Sequence, residues 1–282
     1  SVMMISAPAL SVTDLLRGDI QLASPPTIYS ALNKVIEDPY KTVRDAAFVI
    51  ENDAGLAARL LKIVNSAFYG FPGKVNSIAT AITLIGTREL QNLALATVVI
   101  DRFSDLPGQL FSMHDFWAKN LRCALVAREI DAQLGKKFAD TAFLCGLLHN
   151  IGQLVMYRRI PVLAREVDLL IQSQAGNDVD EVDIEQQVIG FDHFQLGGEL
   201  CRMWQLPMTV SESIVLHDRP DDTGPHALIA GIVRNANALS QIDTTGDILT
   251  IQPSLLTPEQ ISLILDKTHD EFEVIFGLFY PA

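Results

Sequence analysis

The sequence predicts an all-α fold of two helical lobes followed by a helical C-terminal extension. Three observations carry this prediction. Helix start and stop signals recur along most of the chain. Apolar residues between them repeat at helical rather than alternating spacing. The one strand-like piece, Ile248–Ile251, stands alone and cannot build a sheet. The 282 residues are 49% hydrophobic and 20% charged, enough apolar material for a large core without disulfide or metal staples.

The elements follow in order. Residues 1–20 form an N-terminal extension of mixed composition, with a short helix expected over Val12–Arg17 behind a Ser11 cap. Ser24-Pro25-Pro26 breaks the chain ahead of a helix at Thr27–Glu37. Thr42 with Asp45 three residues on reads as a capping box opening a helix through Ile50, because each side chain can satisfy the other's free backbone N–H. Asp53 caps a helix whose Leu56, Leu60, Ile63 and Val64 share one face. Asn65 to Gly73 ends it in aromatic and turn residues. Ser77 caps a helix that stops at Gly86, and Thr87 caps another with Leu90, Leu93, Ala94 and Val98 inward. Asp101–Gln109 is read as the connection between lobes 21–105 and 112–240.

In the second lobe Ser112 and Asp115 open a long helix with Trp117, Leu121, Ala124, Leu125 and Ile130 on its buried side. Lys136-Lys137-Phe138 is a loop and Asp140 the cap of a central apolar run, Ala142–Met156. Pro161 restarts a helix to Ser173, and Gln174–Asp183 is an acidic polar loop. Helices are expected at Ile184–Ile189, His193–Trp204, from Pro207 to about His217, and at Ala227–Leu239. Gly246–Ser254 is a loop within the extension 241–282. Thr257-Pro258-Glu259-Gln260 supplies a cap, a first-position proline and a capping-box Gln for a last helix over 257–276.

Composition narrows the function. A net charge of −13 with no Lys/Arg-rich run disfavours nucleic acid as a partner, since phosphate backbones are held by clustered cations. No P-loop is present. No apolar run approaches the roughly 20 residues of a spanning helix, and no basic flank precedes an apolar segment at the start, so a cytoplasmic protein without membrane contact is expected. Cys123, Cys145 and Cys201 lie far apart among apolar neighbours and read as buried reduced thiols.

The chemistry-bearing residues are histidines. His149-Asn150 sits inside the central apolar run, where an unpartnered polar group costs about 1–3 kcal/mol. The pair either has core partners or lines a cavity. His114, His193 and His217 are the other histidines of interest. Imidazoles from separate helices can assemble a divalent metal site in an all-α protein, but their spacing here is equally that of satisfied core or surface histidines. Asn65, Ser66 and Trp117 are candidates for a groove between the lobes, against which stands a plain capping and packing role. Phe68, Tyr69 and Phe71 read as packing aromatics, and Asp178, Asp180, Glu181, Asp183 and Glu185 as a solvated loop and helix start.

Several blocks, in order, resemble the HDOD domain family: Leu60-Leu61-Lys62-Ile63-Val64-Asn65-Ser66-Ala67-Phe68-Tyr69-Gly70; Ser77-Ile78 with Ala81-Ile82 and Ile85-Gly86; Trp117; Ala142 to Gly152; and Gly190-Phe191-Asp192-His193 with Gly197, Leu200, Trp204 and Leu206-Pro207. The resemblance covers roughly residues 21–240. It implies an all-helical bacterial signal-transduction protein related to the HD superfamily of metal-dependent phosphohydrolases. In active members of that superfamily a His, a His-Asp pair and a distal Asp hold the metal, often with further histidines. On that pattern His149 matches the His of the pair and Asn150 replaces its Asp. His193 and His217 match the further histidines. The upstream His falls near Lys119-Asn120 and the distal Asp near Asn235–Asn237, where this chain has neither residue. An amide is a weak neutral ligand for a hard divalent cation.

The resemblance therefore implies a non-catalytic interaction or ligand-sensing module without a cofactor, built on a vestigial site at His149, Asn150, His193 and His217. Its partner would be a signalling protein or a small ligand, because no second signalling domain is recognisable within these residues. The alternative is a divalent-metal phosphohydrolase of nucleotides or phosphodiesters, with His149, His193 and His217 as ligands.

Overall fold

A computed structural model describes residues 10–104, 112–138, 141–174, 179–241 and 255–280. Among them every regular element is a helix: α1 (Val12–Arg17), α2 (Ile20–Ala23), α3 (Thr27–Glu37), α4 (Val43–Glu51), α5 (Ala54–Val64), α6 (Ile78–Ile85), α7 (Thr87–Ser104), α8 (Met113–Gln133), α9 (Ala142–Leu148), α10 (Ile151–Arg159), α11 (Pro161–Ser173), α12 (Glu181–Val188), α13 (His193–Met203), α14 (Met208–Val215), α15 (Ala227–Ser240) and α16 (Pro258–Phe279). One contiguous apolar core runs from Leu15 to Phe279.

The expected caps form. Ser11, Asp53, Ser77 and Ser112 side chains each accept from a backbone N–H in the first turn of their helices. Thr42 with Asp45 and Thr257 with Gln260 close capping boxes. Leu56, Leu60, Ile63 and Val64 are buried on one face of α5. Some boundaries move. Helix α2 was not expected; Asp19 caps it by accepting from the Leu22 N–H at 3.1 Å. Thr87 is the first helical residue of α7, not its cap, and Val98 is half-buried rather than inward. Helix α12 begins at Glu181 because Asp180 accepts from the Val182 N–H. Helix α16 runs on to Phe279. Asp140, Asp178, residues 105–109 of the 101–109 segment and the whole of the 246–254 segment, with Ile248–Ile251 in it, lie outside the described residues.

The part of the extension from Leu10 to Ile20 is docked on the helices that follow. Arg158 Nε donates to Asp19 Oδ2 at 2.7 Å, and Arg159 Nε to the Leu15 carbonyl at 3.0 Å. Trp204 Nε1 donates to the Leu22 carbonyl at 3.0 Å. Helix α16 packs along α8 and also touches α5 and α7, so it joins both sets of helices. Arg59 fastens its end, donating to the carbonyls of Leu278 and Phe279 and pairing with Asp101.

Two features position the site. The central run is not one helix but two, because α9 stops at Leu148 and α10 starts at Ile151. The Gly146 carbonyl, which a continuing helix would offer to the Asn150 N–H, instead lies 2.6 Å from Nδ1 of the His149 ring. Just beyond the break, α10 lies hard against α13. A Cβ at Gly152 would stand 1.8 Å from the His193 carbonyl oxygen, with Gly197 N at 2.9 Å. Only a residue without a side chain permits that approach.

Gly152→Ala should therefore destabilise the fold by about 3 kcal/mol or more, because both obstructing atoms are backbone. Denaturant unfolding measures this; an unchanged midpoint would mean the two helices are not in that contact.

Candidate histidine and amide site

The site is a buried chain of polar groups drawn from four helices. Glu185 of α12 is 2% exposed, His193 of α13 2%, Asn150 at the α9–α10 break 5%, and Asn120 of α8 is fully buried. Glu185 Oε1 and Oε2 lie 2.7 and 3.0 Å from His193 Nδ1, and Oε1 also accepts from the His193 backbone N–H at 3.2 Å. Nε2 of the same ring lies 3.2 Å from Asn150 Oδ1. Asn150 Nδ2 then donates to Asn120 Oδ1 at 3.4 Å, and Asn120 Nδ2 to the Phe116 carbonyl at 2.8 Å.

These partners assign the protons. His193 faces the Glu185 carboxylate at Nδ1 and the Asn150 oxygen at Nε2, and the buried anion beside it favours the imidazolium. Burial opposes the charge, but the hydrogen bond and negative charge of Glu185 outweigh it and hold the ring above its ordinary value. Asn150 is used at both ends, its oxygen accepting and its nitrogen donating.

His149 and His217 behave in the opposite way. Burial pushes His149 down to about 4, against the pull of the Gly146 carbonyl. The ring is neutral, its Nδ1–H donates to Gly146 O, and its Nε2 lies 3.2 Å from Asn237 Oδ1. His217 is pushed well down by burial and then by the nearby His149 and His193. Its Nδ1 is buried without a hydrogen-bond partner. The His149 and His217 rings are 5.2 Å apart, and Phe194 packs against both His217 and His193.

The predicted site residues thus gather in one region but not as a ligand set. Among the described residues, the group of metal-binding side chains that converges is Glu181, Glu185 and His193, with ligand atoms within 4.8 Å of one another. It contains neither His149 nor His217. His193 is bonded at both nitrogens, and no carboxylate stands at position 150 or 237. What remains, two neutral imidazoles and an amide, does not fit the binuclear centre of the HD superfamily.

Other candidates are placed as follows. Asn65 clamps the following turn, Nδ2 donating to the Val75 carbonyl at 2.8 Å and Oδ1 accepting from the Val75 N–H at 2.7 Å. Ser66 Oγ donates to the Ile63 carbonyl at 2.6 Å. Trp117 is fully buried. Asn65 and Ser66 are thus engaged with the turn and the helix end, while Trp117 lies in the core with its Nε1 lacking a hydrogen-bond partner among the described residues. Phe68, Tyr69 and Phe71 pack on one another, with Arg128 4.4 Å above the Phe68 ring. His114 is exposed and its ring meets Phe276 and Tyr280. All three cysteines are free and buried, and burial pushes Cys145 up to about 12.

Glu185 is a correction to the sequence reading. It sits not in a solvated acidic run but in the core, as the counter-ion of His193. A signal was present: Val182 and Ile189, three before and four after it, put Glu185 on the apolar face of its helix. Asn120 was noted for lacking a histidine; its positive role as the end of the chain depends on contacts thirty residues apart.

Fold and site together define an all-helical domain with a His-Asn pair at the break between two of its helices. The chain belongs to the HDOD family: the HDOD domain matches residues 22–220. An uncharacterised protein of Treponema pallidum is 28% identical over 214 residues. That match covers 74% of this chain but 39% of the relative, so the chain spans about two fifths of the curated relative it matches. Solved structures share the fold. An HDOD domain protein of unknown function from Geobacter sulfurreducens superposes with a TM-score of 0.75 at 20% identity, over 96% of this chain and 97% of that one. A Shewanella amazonensis protein provisionally named a phosphohydrolase gives 0.68 at 23% identity, over 94% and 91%. A Marinobacter aquaeolei protein provisionally named a signal transduction protein gives 0.64 at 22%, over 90% and 57%.

Two outcomes follow from the geometry. Asn150→Asp removes the donor to Asn120 Oδ1 and sets a second carboxylate against His193, so it should cost about 1–3 kcal/mol; an unchanged melting temperature would count against a buried pair. The second concerns acid. Unfolded His149 takes up a proton near 6.5, whereas the folded ring waits until about 4, so stability falls as pH drops through that window. By pH 5 the loss from this group is about 2 kcal/mol. His193, held up in the folded state, works the other way. Comparing wild type with His149→Gln between pH 7.5 and 5 isolates the His149 share; identical slopes would mean that the ring is not buried neutral.

Proposed function

We propose that this protein is a bacterial signal-transduction module that binds a protein partner or a small ligand without catalysing a reaction. The observation that carries this reading is the use of Asn150. In place of the acid that an HD-type hydrolase uses for its metal, the amide cross-links His193 to Asn120, with its oxygen and its nitrogen both engaged. No carboxylate stands at position 150 or 237 to join His149 and His217 in holding a metal. The family membership supports a module of this kind, and no helix among the described residues is long and apolar enough to cross a membrane. The competing reading is a divalent-metal phosphohydrolase; its support is the provisional name of the Shewanella protein.

Metal content and turnover decide between them. Protein from cells grown with added manganese, iron and zinc, purified without chelators, should carry far less than one metal per chain and leave phosphodiester substrates intact. Near-stoichiometric metal that disappears in His149→Ala, together with metal-dependent hydrolysis, would establish the enzyme instead.

A further inference from the structure

Beside the polar chain lies a pocket of about 400 Å³, walled by α8, α10, α11 and α12. That volume suits a small organic ligand. Glu185 and Asn150 form part of its wall, so whatever occupies it touches two members of the chain. Its charges are one-sided. Asp115, Asp168, Glu181 and Glu185 face it against a single cation, Lys119. The rest of the wall that matters here is apolar: Phe116, Met156 and Val167.

The carboxylates differ in what compensates them. Glu185 has His193. Glu181 accepts from Gln153 Nε2 at 3.0 Å, and Asp168 accepts from the Tyr157 hydroxyl. Both are only partly exposed. Among the described residues, no Lys, Arg or His forms an ion pair with either. Two carboxylates drawn partly out of water, with the His193 ring near Glu181 but already paired to Glu185, gain from a cation brought by a ligand. Burial, and then the neighbouring charge of Glu181, already pushes Asp168 upward.

A divalent metal is one source of that charge, but it fits less well. Among the described residues the converging donor set is Glu181, Glu185 and His193, and a metal there must displace the Nδ1 proton that His193 gives to Glu185. An ammonium group can donate to Glu181 and Asp168 and leave the buried pair untouched. An alkyl spacer between two ammonium groups suits the apolar wall. We propose that the pocket binds an aliphatic diamine or polyamine as the module's ligand. This rests on the non-catalytic reading, in which the pocket receives a signal rather than a substrate.

The test is calorimetric titration of the full chain with putrescine and spermidine at physiological salt, with the same titration using magnesium and using adenosine monophosphate. The expected result is saturable diamine binding that weakens about tenfold or more in Asp168→Asn/Glu181→Gln. The same diamine should bind unchanged to Glu51→Gln/Glu259→Gln, which removes equal charge from exposed positions. Gln172→Lys, an exposed substitution on the pocket lining, adds a positive charge without touching the core and should weaken binding as well. Absent binding, or equal losses in the exposed control pair, would overturn the proposal as diffuse attraction to an acidic protein. So would tighter binding of adenosine monophosphate, or of magnesium in a manner lost with His193→Gln. Diamine binding accompanied by phosphodiester hydrolysis would keep the pocket assignment and overturn the non-catalytic reading.

Discussion

The buried run Glu185–His193–Asn150–Asn120 is the constraint on which the arrangement of the HD-like helices depends. Each member is almost wholly removed from water, where losing a partner costs about 1–3 kcal/mol and more for a charged group. The run ties α12, α13, the α9–α10 break and α8 together, so none of them can shift independently. Two local irregularities exist to serve it. The break after Leu148 turns the Asn150 amide out of a helical ladder and towards His193. The glycine at 152 lets the backbone at His193 come close enough to meet it. A straight central helix, or a side chain at 152, would take Asn150 away from His193 Nε2.

The same run explains why three nearby histidines do different things. His193 has an anion on one side and an amide oxygen on the other, and it is charged. His149 and His217 have no anion, and burial keeps them neutral. Position 150 decides this division. A carboxylate there could accept twice but could not donate to Asn120. An amide does both. An amide at position 150 therefore serves as a cross-link in a way that a carboxylate could not.

Most of the fold was legible in the sequence because its signals are local. Ser11, Asp53, Ser77, Ser112 and the boxes at Thr42 and Thr257 act within one helical turn, and all of them form. The misreadings share a different cause. The break at His149-Asn150 sits in an unbroken apolar run, and what ends the helix there is a ring-to-carbonyl bond, for which composition gives no warning. The short helix α2 depends on Asp19, whose second role is to receive Arg158 from 139 residues away. Glu185 looked solvated because four of its acidic neighbours share its charge; its partner is eight residues on, across a turn. The histidine site could be nominated from the sequence but not assembled, since its geometry is made of contacts between helices.

The absence of cations links the non-catalytic reading to the pocket. A phosphoryl substrate brings negative charge, and enzymes that act on it supply metal ions, Arg or Lys to meet it. Among the described residues Lys119 is the cation facing the pocket against four carboxylates, and the buried His193 is already paired with Glu185. Placing a phosphate in that cavity would add repulsion to desolvation. Placing an ammonium there relieves both, because Asp168 and Glu181 regain by hydrogen bonding what they lost in leaving water. The amide at position 150 and the charge pattern of the adjoining cavity therefore favour the same reading, a pocket suited to a cation rather than to an anion.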